Sequence, residues 1–454
     1  MKITLKDIFN IPNSRIYNPD SYKSASYVSI DTRTIKKNSI FVAIKGKNFD
    51  GHNYIKEAIK KGATSVVINN RKLKDFDDVE VAIISVKNTL DAYGELAKIW
   101  RNKLSAKVIS ITGSNGKTTT KEILSRLLEI KYKVHKTEAN NNNQIGVPLT
   151  ILSAKPKTDF IVLEHGTNHP GEIEYTAKIA EPDFAVITNI SNSHLQYLKS
   201  KEKVLEEKLS LFKYVKDDGY VFINNDDALL ASIKRNYKNK ITYGLKGRCT
   251  VKGKVKIKNS ITNIIIDEID KTIETTLNLL GKANAQNFLA ASAIALKVGV
   301  TESGINKAAK EIKAVKGRLE KIKNKNSVII NDTYNSNPES ARIAFEVLDE
   351  FKDKNKILIF GDMFELGKDA DKFHKDLAAN INSTNINEVY TIGRKAKLLN
   401  QNLNKKITAK HFTNRVKLID FLKELNIENS VLLFKGSRGM KMEEFLNVVK
   451  DKIK

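Results

Sequence analysis

This chain is poor in cysteine, in long apolar runs and, for so basic a protein, in arginine. A single cysteine, Cys249, in 454 residues excludes a disulfide scaffold and any zinc cage built on cysteine. No segment approaches the about 18 uncharged apolar residues that a membrane span needs. At the N-terminus, Lys6 and Asp7 interrupt the stretch that a signal peptide would keep apolar. A cytoplasmic protein with no membrane insertion is therefore expected. Arginine is scarce in a chain that is nonetheless basic: 12 Arg stand beside 66 Lys, and 78 basic against 52 acidic residues give a net charge of +26. Dedicated nucleic-acid binders cluster Arg, whose fork fits phosphate and guanine. Here most Lys lie outside every motif, so the excess reads as solvated surface with a modest steering effect on anionic substrates, and no nucleic-acid partner is expected.

What is present is a globular chain, 41% hydrophobic and long enough for two or three domains, so a disordered or fibrous protein is excluded. Residues 1–84 hold short β segments, SYVSIDTR, SIFVAIKG, TSVVINN and VEVAIISV, around a helical HNYIKEAIKKGA, a small α/β unit. From Asn88 to Lys103 apolar residues recur every three or four positions, an amphipathic helix that leads into a second domain, 85–315. There, apolar runs such as KVISIT, DFIVLE and DFAVITNI alternate with helical stretches, the pattern of a parallel sheet covered on both faces. The Lys-rich alternation between Tyr243 and Thr276 predicts an antiparallel ribbon at the sheet edge. After Gly317 the strand and helix alternation restarts, predicting a doubly wound third domain, 316–454.

The most informative stretch is KVISITGSNGKTTTKEILSRLL. Gly113 to Thr118 spell G-S-N-G-K-T between a predicted strand and a predicted helix. Glycines let the backbone curl so that its N–H groups and the helix N-terminus face an anion; Lys117 can reach the β and γ phosphates, and Thr118 can offer its hydroxyl to Mg²⁺. Ile111 stands where the general phosphate-loop pattern has Gly, so this is the shorter G-x-x-G-K-T form. Two further groups follow strands: Glu164 closes FIVLE, and His194 lies in SNSHLQ after AVITNI. In a parallel sheet, ligands gather outside the carboxyl ends of strands. Magnesium prefers oxygen, so Glu164 is the more natural ligand, and His194 taken alone is equally a loop histidine with no ligand.

Further segments follow in a fixed order. The first domain has Asp31-Thr32-Arg33, FVAIKG from Phe41 to Gly46, and FDGH from Phe49 to His52; the second adds TEANNNNQIGVPLTIL, EHGTNHPGEI and ITNISNSHLQYLKS; the third adds GRLE, NDTYNSNPES, GDMFELG and KGSRGMKMEE. In this order they resemble the Mur ligases of bacterial cell-wall synthesis, most closely the branch that acts last on the peptide. The resemblance implies an α/β fold of three domains, with a central P-loop parallel-sheet ATPase domain and a Rossmann-like carboxyl-terminal domain closing over ATP. It implies an ATP-dependent amide ligase that adds D-alanyl-D-alanine to UDP-N-acetylmuramoyl-tripeptide through an acyl phosphate, working as a monomer.

Residue roles carry over by position. Gly113, Ser114, Asn115, Gly116, Lys117, Thr118, Thr119, Asn284, Asn287, Arg318, Asp332 and Asn335 would contact ATP. Thr118 and Glu164 would hold one Mg²⁺, and His194 would serve a second. Lys208 matches the position where the family carries a carbamylated lysine, whose new carboxylate helps hold metal. Lys117, Glu164, His194 and Lys208 would thus form the catalytic set. Asp31, Arg33, Lys45, Gly46, Asn142, Asn143, Tyr334 and Asn337 would contact the two other substrates, although Tyr334 and Asn337 read equally as a capped turn before a helix near Glu339. There are departures: Ala283 stands in place of the family's His, and Asn331 in place of one of two acids. The D-N-P-R string of the ligase that adds the third residue is missing. A folylpolyglutamate-type ligase would lack GDMFELG, and a basic nucleotide-gated binding protein without ligase activity is the reading from a different class.

Overall fold

Apolar strands cannot face water on either side, and the runs read as strands pair into three sheets in chain order. The computed structural model describes residues 1–268, 271–324 and 326–452. In the first sheet, Ala82–Val86, Ala63–Asn69, Ser39–Val42 and Tyr27–Ser29 run parallel, with Arg15–Tyr17 antiparallel at the edge. The expected boundary after residue 84 falls inside the strand Ala82–Val86. A strand carries its ladder bonds to its end, so we place the division in the turn capped by Asn88, whose side chain accepts from Leu90 N at 2.9 Å and starts the helix Thr89–Lys103.

Among the described residues, the second sheet has nine strands. Val134–Lys136, Phe160–Glu164, Lys107–Thr112, Phe184–Ile187, Tyr220–Asn224 and Lys240–Gly244 are parallel neighbours in that order. The predicted ribbon is there: Val251–Lys258, Ile261–Glu268 and Lys271–Leu277 pair antiparallel at the sheet edge. Helices Lys117–Leu128 and Gly281–Lys297 pack together on one face, burying Leu124, Leu127, Phe288 and Leu289 against the sheet. The third sheet runs Glu320–Asn324, Ser327–Asp332, Ser430–Lys435, Asn355–Gly361, Glu388–Ile392 and Thr408–Phe412, parallel except at its first pair. Separate apolar clusters cover its two faces, the doubly wound arrangement expected.

Candidate active site

The carboxyl ends of the central strands open into a cleft of about 430 Å³ walled on the far side by the third domain. Lys107–Thr112 delivers the phosphate loop into it. Gly113 has φ +150° and Gly116 φ +82°; a Cβ on the first would collide with Thr188 Oγ1 and on the second with Asn287 Oδ1. Only glycine meets both demands, the positive φ and the missing volume. Asn189 shapes the loop: its carbonyl accepts Ser114 N at 2.9 Å, its Oδ1 accepts Asn115 N at 3.0 Å, and its Nδ2 donates to Asn115 O at 3.0 Å. Ser114 Oγ in turn accepts Ser191 N at 2.9 Å. The helix Lys117–Leu128 starts here, so the amides of its first turn have no carbonyl a turn earlier and face the cleft as an anion site.

Lys117 folds back, its Nζ donating to Gly113 O at 2.8 Å and Ser114 O at 3.3 Å. Burial pulls its pKa down to about 8, with Glu164 opposing and Arg318 adding to the shift. An ammonium so weakly solvated has strong reason to take an anionic partner. Arg318 arrives from the third domain: its Nη2 donates to Thr118 Oγ1 at 3.0 Å, its guanidinium stacks 4.1 Å over the Tyr334 ring, and its Nε is buried with no partner.

Glu164 Oε1 accepts Thr118 Oγ1 at 3.1 Å and Asn142 Nδ2 at 2.9 Å, while its Oε2 is buried without a hydrogen-bond partner. A buried, unsatisfied carboxylate oxygen is costly unless something positive is to be placed beside it. Among the described residues no group of three or more His, Cys, Asp or Glu comes together. One carboxylate and one hydroxyl therefore fit a hard cation that takes its other ligands from phosphate and water, the habit of Mg²⁺. His194 lines the same cleft.

Lys208 does not line the cleft; it is 1% exposed behind it, on the helix Lys201–Lys213. Burial holds its amine well below the ordinary lysine range, and the charge of Lys117 adds to the effect. The neighbouring Glu207 is committed elsewhere, accepting Gly171 N at 2.7 Å, Ile173 N at 2.9 Å and Thr167 Oγ1 at 3.2 Å.

Asn115, Thr119, Asn142, Asn143, Asn284, Asn287, Asp332, Tyr334, Asn335 and Asn337 all line the cleft, and so does Ala283. Asn143 Oδ1 also accepts Ile145 N at 3.1 Å and Gly146 N at 2.9 Å in the turn that leads into the helix Gly146–Ser153. For Asn337 the capped-turn reading holds: it caps Pro338–Asp349 with a capping box, and it also donates to Asn115 Oδ1 at 2.8 Å across the domain seam. Asp332 is spent on Lys435, at 2.5 Å. The structure does not bring Asp31, Arg33, Lys45 or Gly46 to this cleft; they lie in the first domain, where Arg33 is 85% exposed and pairs with Asp31 at 2.7 Å. Sequence reasoning passed over Asn189 and Glu365. The first follows a central strand directly, a position that strand-end logic would have flagged.

Three family models cover most of the chain: Mur ligase family, catalytic domain, at residues 25–101; Mur ligase middle domain, at 111–295; and Mur ligase, glutamate ligase domain, at 317–438. A Bacillus subtilis protein named UDP-N-acetylmuramoyl-tripeptide–D-alanyl-D-alanine ligase is 35% identical over 100% of this chain and 99% of its own length. The chain belongs to the Mur ligase family. A Haemophilus influenzae ligase of the same name is 35% identical over 94% of both chains. Among solved structures, MurF from Acinetobacter baumannii matches with a TM-score of 0.90 at 28% identity over 99% of both chains. MurF from Thermotoga maritima in complex with ADP matches at 0.84 and 29% identity, over 94% of this chain and 97% of that one.

Proposed function

We propose that this chain is the ATP-dependent ligase that joins D-alanyl-D-alanine to UDP-N-acetylmuramoyl-tripeptide, a step of peptidoglycan precursor synthesis. The observation that carries the reading is that one cleft holds the phosphate loop with Lys117, the unsatisfied Glu164 oxygen, and Arg318 reaching in from the third domain. A carboxylate is a poor electrophile, because its charge repels a nucleophile and it has no good leaving group. Transfer of the γ-phosphoryl group to the tripeptide carboxylate removes both obstacles, and the dipeptide amine then attacks the acyl carbon as phosphate departs. Lys117 and Arg318 neutralise the charge that develops on the transferred group and on the tetrahedral intermediate.

Thr118 and Glu164 would hold one Mg²⁺ and His194 a second; when bound, the metal supplies charge neutralisation at the phosphates. Lys208 would act as a carbamate. Burial that disfavours the ammonium favours the free amine, the form that adds CO₂: its nitrogen bonds to the carbon, a proton leaves, and a carboxylate stands where an ammonium would repel metal. ATP would further contact Asn284, Asn287, Asp332 and Asn335, while Asn142, Tyr334 and Asn337 would meet the other substrates. We assign the UDP end to Asp31, Arg33, Lys45 and Gly46 in the first domain, and the location to the cytoplasm, with the chain acting as a monomer.

The test is phosphate release under Mg²⁺ and bicarbonate with each acceptor alone and with both. Release that requires both, and is lost in Lys117→Ala, is expected; no release with both together would overturn the reading. Lys208→Ala should lose activity and recover part of it with added short-chain carboxylates.

A further inference from the structure

The third domain does more than wall the cleft, because one of its carboxylates meets a side chain of the metal side directly. Glu365, in GDMFELG, places Oε2 2.8 Å from His194 Nδ1. The contact is not aligned as a hydrogen bond, and Nδ1 has no hydrogen-bond partner among the described residues. A backbone bond runs beside it, from Gln196 N to Glu365 O at 3.1 Å. Both residues sit in the left-handed region, Glu365 at φ +62° and His194 at φ +54°, where non-glycine residues are uncommon and need surrounding structure to keep them.

That support is visible on the Glu365 side. His374 Nε2 accepts Met363 N at 3.0 Å, Ser437 Oγ accepts Phe364 N at 2.7 Å, and Asp362 Oδ1 accepts Lys395 N at 3.0 Å and Ala396 N at 2.7 Å. The loop that carries Glu365 is thus tied to the helices Ala370–Asn382 and Ala396–Gln401 and to the segment after the strand Ser430–Lys435. With Nδ1 turned to Glu365, Nε2 is the ring nitrogen left for the cleft.

We propose that Glu365 is a positioning residue: on closure of the third domain its carboxylate takes His194 Nδ1 and fixes the imidazole, so that the metal-side geometry of the central domain is completed only when the domains meet. A carboxylate behind a ligating histidine sets its tautomer and orientation and raises its basicity. The inference rests on the assignment of His194 made above.

Glu365→Gln is the informative variant, since it keeps the side-chain size and the backbone bond from Gln196. Two readouts are needed: steady-state kinetics with both acceptors, and the Mn²⁺ affinity of the complex with ADP and UDP-tripeptide, measured by electron paramagnetic resonance. The expected result is a drop of about tenfold in both kcat and Mn²⁺ affinity, with KM for the UDP-tripeptide unchanged and partial rescue in Glu365→Asp. In a His194→Ala background, Glu365→Gln should change Mn²⁺ affinity no further. Unchanged Mn²⁺ affinity in Glu365→Gln, or a further loss in the His194→Ala background, would overturn the proposal and leave the role of His194 standing. Wild-type Mn²⁺ affinity in His194→Ala would overturn both.

Discussion

The central domain meets its two neighbours in opposite ways. Toward the first domain the seam is an apolar core: Ile3, Ile40, Val67 and Ile84 from one side and Val108, Ile151, Leu163 and Ala180 from the other pack around Tyr93, Leu96 and Trp100 of a shared helix. Toward the third domain, Leu280 alone among the described buried residues of the central domain joins the third-domain core, and around the cleft the two domains meet through polar side chains. Arg318 reaches Thr118, Asn337 reaches Asn115 and Glu365 approaches His194; away from the cleft, Lys321 donates to Ser260 at 3.0 Å. Water competes well for such bonds, whose net worth is about 1 kcal/mol each, and poorly for a buried aliphatic cluster. We propose on this ground that the first domain is a fixed platform and that the third opens and closes about its Leu280 end. A reactive acyl phosphate needs that division, with closure to exclude water and opening to release product.

The largest test of the comparison is Trp100→Ala. Its ring is buried in the fixed seam and its Nε1 donates to Ala154 O at 3.1 Å, so truncation should cost about 3–5 kcal/mol in urea unfolding and loosen both domains together. Arg318→Ala attacks the polar seam instead. We expect kcat to fall about 10²-fold while the unfolding midpoint stays within about 0.5 kcal/mol of wild type. Asn337→Ala should cost about 1 kcal/mol through its lost cap, measured by thermal unfolding, whereas Asn115→Ala leaves that cap intact, removes the cross-domain bond and its own Nδ2 donation to Ser191 Oγ at 3.1 Å, and should cost less.

The smallest effect concerns Glu350, beside the apolar end of the third-domain seam. Burial raises its carboxyl to about 7, Glu346 adding and Lys321 opposing, and its Oε2 has no partner. Between the ordinary carboxylate range and about 7 the folded chain keeps a proton that the unfolded chain has released, so stability declines as pH rises through that window. Glu350→Gln should remove the decline: a gain of about 1 kcal/mol above neutrality, after allowance for its partial exposure, that shrinks on acidification, as urea midpoints at both pH values would show.

Much of this was legible in the residues themselves. The phosphate loop announced itself because glycine spacing, Lys117 and a strand before a helix encode one local geometry. Glu164 and His194 were found because the ends of apolar runs in a parallel sheet converge. The short strand Arg15–Tyr17 and the polar edge strand Thr408–Phe412 carry too little apolar pattern to stand out, and only their neighbours make them strands. Asn143 as the acceptor of Gly146 N and Asp332 as the partner of Lys435 depend on contacts at short and long range that no periodicity records. Glu365 is the clearest case: a half-exposed acid in a turn acquires meaning only when another domain brings His194 to it.

The contrast between the two seams is tested most directly by distances in solution. In a Cys249→Ser background, dye pairs at Lys155→Cys and Lys405→Cys span the central and third domains, and pairs at Lys23→Cys and Lys155→Cys span the first and central; all three positions are exposed. On addition of a non-hydrolysable ATP analogue, Mg²⁺ and UDP-tripeptide, energy transfer should rise for the 155–405 pair and stay constant for the 23–155 pair. A constant 155–405 distance, or movement of the first domain instead, would contradict the division into a fixed platform and a closing domain.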